Sequence, residues 1–74
     1  MADEVWYVTP ISAGGAFVRS GPGAQYTALE SAFVGDALEV IGPDRVTGRI
    51  KIGQRFKWLN IRTSRGTQGY IAAW

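Results

Sequence analysis

The chain has 74 residues with no cysteine and no histidine, and its formal net charge is +2. This length accommodates one small domain, and no apolar run approaches the roughly 18 residues that a membrane span requires. Without cysteine or histidine the chain has no disulfide, no thiolate metal site and no histidine to act as a general base. The composition therefore predicts a single domain without a metal, a cofactor or insertion into a membrane.

Glycine and proline divide the chain into short runs of strand-forming residues, and no helical period survives between them. The runs that we assign to strands are 6–9, 16–19, 37–41, 58–62 and 69–72. Residues 28–33 are the longest stretch with any helical character, and six residues are too few to predict a helix. Five short strands separated by turn residues predict a small all-β barrel or sandwich.

Alternation within the runs separates an inner face from an outer face. In run 58–62, Leu59 and Ile61 share one face, and Trp58 lies on the opposite face with Asn60 and Arg62. The core predicted on this pattern consists of Leu38, Val40, Leu59, Ile61 and Ile71, with Phe17, Phe33 and Phe56 in it or at its rim.

Two segments between the runs carry the chemistry of tight turns. In residues 20–23, Pro22 supplies a φ near −65°, and Gly23 supplies the positive φ that a type II turn needs. In residues 64–67, Gly66 suits the left-handed position of a short hairpin with a bulge. Both turns are therefore predicted to hold a glycine at positive φ.

Four blocks of sequence carry a resemblance to a known family. Residues 18–23 read Val-Arg-Ser-Gly-Pro-Gly, and an aromatic residue follows closely. Residues 34–41 contain Gly-Asp and then Leu-Glu-Val, residues 58–62 read Trp-Leu-Asn-Ile-Arg, and residues 66–71 read Gly-Thr-Gln-Gly-Tyr-Ile. In this order, and over residues 8–74, the blocks resemble those of bacterial SH3-like domains (SH3 type 3).

The resemblance implies an SH3-like barrel of five to seven short antiparallel strands with little or no helix. Residues 8–74 form the domain, and residues 1–7 are an N-terminal extension whose first four residues read like a start added for expression. The chain as a whole reads like a piece excised from a larger protein. It departs from the family in having Ala16 where leucine is usual and in a longer connection over residues 42–57.

The connection over residues 42–57 is strongly basic. From residue 44 to residue 57 there are five basic residues and one acidic residue, a net charge of +4. Residues 46–49 are predicted to turn a small hairpin. The charges either keep a solvated hairpin edge from aggregating or form a patch for an anionic ligand. The candidate ligand-binding residues of this segment are Arg49, Lys51 and Arg55.

Aromatic residues in or beside three of the matched blocks are the other candidate binding residues. They are Tyr26, Trp58 and Tyr70. In SH3-like domains aromatic side chains near these positions line a groove for an extended peptide, and the resemblance places the Tyr26 loop over the strand of Trp58. The alternative is that Trp58 and Tyr70 only seal the barrel. The aromatic residues near the chain ends are either groove edges or anchors: Trp6, Tyr7 and Trp74.

Catalytic arrangements find little support in the sequence. Hydrolysis by paired acids needs two carboxyl groups that converge, and in the body of the chain only Glu30, Asp36 and Glu39 are available. Glu39 lies on the outer face of its run, and Asp36 follows a glycine in a turn. The serines have no histidine to activate them. We therefore expect a protein that is not an enzyme.

The resemblance implies a ligand-binding or targeting module of an extracytoplasmic bacterial protein that recognises cell-wall (peptidoglycan) peptide or another extended peptide. The alternative is a protein-interaction or spacer domain without a wall ligand. Nucleic-acid binding is weaker still, because it needs stacking aromatics beside the charges, and only Phe56 and Trp58 adjoin them. The domain is expected to be a monomer, with any secretion signal of its parent protein outside this chain.

Overall fold

The computed structural model describes residues 4–74 as one antiparallel sheet with a single short helical segment. The strands are β1 (Tyr7–Val8), β2 (Ala16–Arg19), β3 (Ala28–Ala32), β4 (Leu38–Val40), β5 (Trp58–Arg62) and β6 (Gln68–Ala72). Helix α1 (Asp44–Thr47) runs into a 3₁₀ turn (Gly48–Lys51) between β4 and β5. The strand order is β1-β4-β5-β6-β2-β3. The prediction of a small all-β fold with five to seven strands is confirmed.

A single core lies on the inner face of this sheet. All five core residues predicted from alternation are at most 4% exposed. Side chains from β2 to β6 belong to the same buried cluster, so the sheet curls around one centre. The members of this cluster are Trp6, Val18, Ala32, Leu38, Val40, Leu59, Ile61, Ile71 and Ala73. Each fully buried aliphatic side chain contributes about 1.5–3 kcal/mol of transfer free energy.

The three phenylalanines are exposed, so their assignment to the core or its rim is wrong. Phe17 and Phe33 are 52% exposed and Phe56 is 81% exposed. Phe17 alternates with the fully buried Val18 on β2 and therefore faces outward. Phe33 lies just beyond the end of β3, and Phe56 precedes β5. Strand alternation therefore directs neither side chain into the core.

Residues 28–32, the segment with some helical character, form the edge strand β3. The strand pairs antiparallel with β2, and the register shifts between Val18 and Arg19. A six-residue segment has too few turns to stabilise itself as a helix, so pairing with β2 decides its conformation. The result adds a sixth strand to the five predicted from the sequence.

The turn at Pro22 differs from the predicted type II turn. The Gly23 N–H donates to the Gly21 carbonyl at 2.9 Å, which closes a three-residue turn around Pro22. Gly23 is not among the glycines at positive φ. Gly21 is the sterically required residue, because a Cβ there would lie 2.5 Å from the ring of Tyr26. The second predicted turn is confirmed, since Gly66 has a φ of 92°.

The connection between β4 and β5 forms helical turns, so the predicted hairpin over residues 46–49 is wrong. Gly48 has φ −71° and ψ −18°, a right-handed helical conformation that continues the chain direction. A Cβ on Gly48 would come within 2.9 Å of Leu59, so the glycine serves close packing. Asp44, only 6% exposed, fixes the segment by accepting hydrogen bonds from Lys51 Nζ at 2.7 Å and the Asn60 N–H at 2.8 Å.

The N-terminal segment packs as part of the fold where the structure describes it. Residues 1–3 of the predicted extension lie outside the described residues. Trp6 is 8% exposed, and its indole N–H donates to the Arg45 carbonyl at 2.8 Å. The Arg49 guanidinium lies 4.3 Å from the centre of the Trp6 ring. Trp6 is therefore an anchor that ties the N-terminal segment to helix α1.

Candidate ligand-binding groove

The outer face of the sheet carries a shallow groove of about 560 Å³ over β5, β6 and β2. We call it the aromatic groove. Its lining consists of Ala16, Phe17, Arg19, Pro22, Gly23, Ala24, Gln25, Phe56, Trp58, Ala72 and Trp74. Its volume is within the range of about 300–1,000 Å³ that ligand pockets occupy.

Strand alternation places the walls and the floor of the aromatic groove. Trp58 precedes the buried Leu59 on β5, and Phe17 precedes the buried Val18 on β2, so both rings face outward. β6 lies between these strands, and its Ala72 is paired with Trp58. A small residue therefore forms the floor between two aromatic walls.

Three aromatic rings form the wall on the β5 side. The centres of the Trp58 and Trp74 rings are 5.5 Å apart and the rings are nearly perpendicular, at 88°. Phe56 lies 6.1 Å from Trp74 at 52°. These separations are typical of favourable edge-to-face contacts. The Ala73 N–H donates to the Lys57 carbonyl at 2.9 Å, which extends the β5–β6 ladder and brings Trp74 to Trp58.

Phe56 is held in a conformation that non-glycine residues rarely adopt. Its φ is 66°, and no other non-glycine residue of the described chain has a positive φ. The conformation costs of order 1–2 kcal/mol for an L-residue, and the ring recovers little of this by burial because it is 81% exposed. Strain of this kind is found at ligand clamps, where it positions a side chain for contact.

The β2 side of the aromatic groove is formed by the Pro22 turn, Phe17 and Arg19. The Arg19 guanidinium donates through Nη1 to the Tyr26 carbonyl at 2.9 Å and lies 5.3 Å from the centre of the Phe17 ring. The Ser20 N–H also donates to the Thr27 carbonyl at 2.9 Å. These bonds close the loop over residues 20–27 against the sheet. The loop predicted to overhang the sheet therefore borders the same groove as Trp58.

The predicted aromatic site residues are only partly brought together. Trp58 is half-buried and lines the aromatic groove. Tyr70 shares the outer face of the sheet, but it is paired with Asn60 and Arg19 and does not line the groove. Tyr26 is 42% exposed, packs over Gly21 and does not line the groove.

The predicted basic site residues are dispersed. Arg49 is stacked on Trp6, and Lys51 is bound to Asp44 and to the Trp58 carbonyl. Arg55 is exposed and lies 6.0 Å from the centre of the Phe56 ring, at the edge of the aromatic groove. The basic connection therefore does not present its charges as one patch.

The aromatic groove also contains residues that the sequence analysis did not select. Phe17 and Arg19 alternate with buried Val18, the same signal that placed Trp58 on the outer face, so the pattern on β2 was sufficient to find them. Phe56 and Trp74 lie outside the strands, where no alternation applies. Their positions depend on the backbone conformation before β5 and on the hydrogen bonds of Ala73.

The described residues contain no cluster of acidic side chains able to hold a metal ion. No helix in residues 4–74 is long and apolar enough to cross a membrane. A second, apolar cavity of about 280 Å³ lies beside the core between the N-terminal segment and the chain around Gly53. The outer-face groove combines four aromatic rings with one charged side chain, that of Arg19.

Comparison with known proteins gives one match. The sequence model of the family described as bacterial SH3 domain matches residues 14–74. This range contains every residue that lines the aromatic groove. No curated protein and no solved structure matches the chain.

Proposed function

The chain belongs to the bacterial SH3 domain family, whose members are in general non-catalytic binding modules, and on that premise we propose that its aromatic groove binds an extended peptide of the bacterial cell wall. The parent protein, on this proposal, is extracytoplasmic, because that is where peptidoglycan is found. The domain acts by holding its parent on the wall.

The wall of three rings, in which Trp74 contacts both Phe56 and Trp58, is the observation that carries the proposal. Phe56, Trp58 and Trp74 stand opposite Phe17 across the small Ala72 floor. Rigid aromatic ridges accept the side chains of an extended peptide and lose little conformational entropy on binding. Ala24 and Gln25, which follow the Pro22 turn, are exposed and line the same groove.

The dispersed basic residues argue against nucleic acid as the ligand. Lys51 is paired with Asp44 and Arg49 is stacked on Trp6, and neither lines the aromatic groove. Single-stranded nucleic acid needs a continuous positive groove with stacking aromatics. An extended segment of another protein is the remaining alternative ligand, and it would use the same aromatic groove.

Co-sedimentation with purified peptidoglycan sacculi tests the proposal. Trp58→Ala removes one ring of the wall and is expected to weaken binding by about 1–3 kcal/mol, the usual scale for an aromatic hot spot. Its thermal midpoint should change little, because Trp58 is outside the buried core. Tyr7→Ala is the matched control, since Tyr7 is a 59% exposed aromatic on β1 and does not line the groove.

Three outcomes would contradict the proposal. Wild-type protein that stays in the supernatant with sacculi has no wall ligand. Equal loss of binding in both variants would place the site outside the aromatic groove. Unfolding of Trp58→Ala would show that the ring seals the barrel.

A further inference from the structure

The aromatic groove has an uncompensated positive charge. Among residues 4–74, Arg19 is the only charged side chain in its lining, and no aspartate or glutamate side chain lines it. Neither Arg19 nor the nearby Arg55 is part of an ion pair within residues 4–74. The ion pairs of the described residues are Glu39 with Arg45 and Arg62, and Asp44 with Lys51.

The Arg19 guanidinium is fixed in place while most of its donors are unused. Within residues 4–74 only Nη1 has a hydrogen-bond partner, the Tyr26 carbonyl at 2.9 Å. A guanidinium has five N–H donors in a planar fork that matches a carboxylate. The Phe17 ring beneath it, with its centre 5.3 Å away, further limits its motion. A ligand therefore meets a guanidinium that is already oriented.

A second arginine lies on the opposite side of the groove. Arg55 adjoins the Phe56 ring on the β5 side, whereas Arg19 adjoins the Phe17 ring on the β2 side. Each arginine therefore lies beside an aromatic ring on a different side of the groove. Arg55 is exposed and makes no side-chain hydrogen bond within the described residues.

We propose that the peptide in the aromatic groove carries a carboxylate that is bound by Arg19, with Arg55 adding attraction from the other wall. This inference rests on the proposed function, and it names the chemistry of the ligand. Charge complementarity supports it, because the lining contains the Arg19 side chain and no acidic side chain, and Arg55 adjoins the lining residue Phe56. The carboxylate is either a free C-terminus or an acidic side chain, and the test separates these sources.

Fluorescence anisotropy with labelled peptides measures the preference directly. The probes are an alanine tetrapeptide with a free C-terminal carboxylate, the same peptide as a C-terminal amide, and the amide with one internal glutamate. Wild-type protein is expected to bind a carboxylate-bearing peptide roughly tenfold more tightly than the neutral amide, as for a charge-assisted hydrogen bond. Whichever carboxylate peptide binds better identifies the source.

Arginine variants connect the preference to the groove. Arg19→Gln is expected to bind the acid and the amide equally, and Arg55→Gln is expected to reduce the preference about twofold. Arg65→Gln is the matched control, because Arg65 is exposed, lies in the β5–β6 turn, and is not part of the groove lining. The Arg19 guanidinium closes the loop over residues 20–27, so Arg19→Gln could disturb that loop. Arg55→Gln leaves the loop intact and still tests the carboxylate preference.

The carboxylate site is wrong if wild-type protein binds all three peptides equally, or if Arg19→Gln keeps the preference. In the first case, binding of the amide that Trp58→Ala abolishes would leave the aromatic groove as a peptide site. If no peptide binds at millimolar concentration, the groove is not a peptide site and both proposals are wrong.

Discussion

Phe56 is the residue at which folding stability and the proposed function conflict most clearly. Its φ of 66° is unfavourable for a phenylalanine, and its ring is exposed at the edge of the aromatic groove. The side chain gains only the contacts with Trp74 and Arg55 in the free protein. We interpret the exposed Phe56 ring as a contact for the ligand.

This interpretation predicts opposite effects of Phe56→Asn on stability and on binding. Asparagine tolerates the left-handed region, so the free energy of unfolding should stay the same or rise by up to about 1 kcal/mol. Affinity for sacculi should fall, because a groove wall loses a ring. Denaturant unfolding and co-sedimentation on the same preparation measure both quantities.

Phe33→Asn is the control for this prediction. Phe33 is 52% exposed and lies outside the aromatic groove, and its φ is not positive. It should therefore show no gain in stability and no loss of binding. Phe56→Asn protein that is less stable, or that binds sacculi as tightly as wild type, would refute a ligand-directed role for the ring.

The connection between β4 and β5 is the element whose structure depends most on one side chain. Asp44 is buried and accepts hydrogen bonds from Lys51 Nζ and from the middle of β5 through the Asn60 N–H. Lys51 in turn donates to the Trp58 carbonyl at 3.2 Å. Helix α1 and the 3₁₀ turn are thus attached to the strand that carries Trp58.

Asp44→Ala is expected to destabilise the domain by about 2–4 kcal/mol. The substitution leaves the Asn60 N–H without its acceptor and the Lys51 ammonium without its counter-ion, and both losses are costly where water is restricted. Thermal or urea unfolding measures the effect. Asp36→Ala is the control, because that exposed carboxylate only accepts a hydrogen bond from the Phe33 N–H. Equal destabilisation by the two substitutions would show that Asp44 does not organise the connection.

Sequence periodicity could predict the sheet but not the connection. Leu59 and Ile61 alternate with outward residues inside one strand, so their burial follows from local pattern. Asp44, in contrast, organises the connection through hydrogen bonds from the Asn60 N–H, sixteen residues away, and from Lys51 Nζ, seven residues away. The local pattern at residues 46–49 predicted a small hairpin instead, because it does not contain the contacts that Asp44 makes with distant residues.

At the scale of the whole molecule, the sheet order brings distant sequence segments to one surface. β2 and β5 are separated by 38 residues in sequence and flank β6 on the sheet, so Phe17 and Trp58 become opposite walls of one groove. The family resemblance predicted that a loop and the Trp58 strand would meet. It did not select Trp74 or Phe56, whose positions follow from the end of the β5–β6 ladder.

The three tryptophans allow one measurement of the central claim, that the outer-face aromatic groove is the ligand site. Trp58 and Trp74 line the groove, whereas Trp6 is buried and its indole N–H is bonded to the Arg45 carbonyl. NMR titration of ¹⁵N-labelled protein with soluble muropeptides from digested sacculi reports on all three indole N–H signals at once. The Trp58 and Trp74 signals should shift together along one binding curve while the Trp6 signal stays in place. Shifts confined to Trp6, or no shift of any indole at saturating muropeptide, would contradict the assignment of the groove.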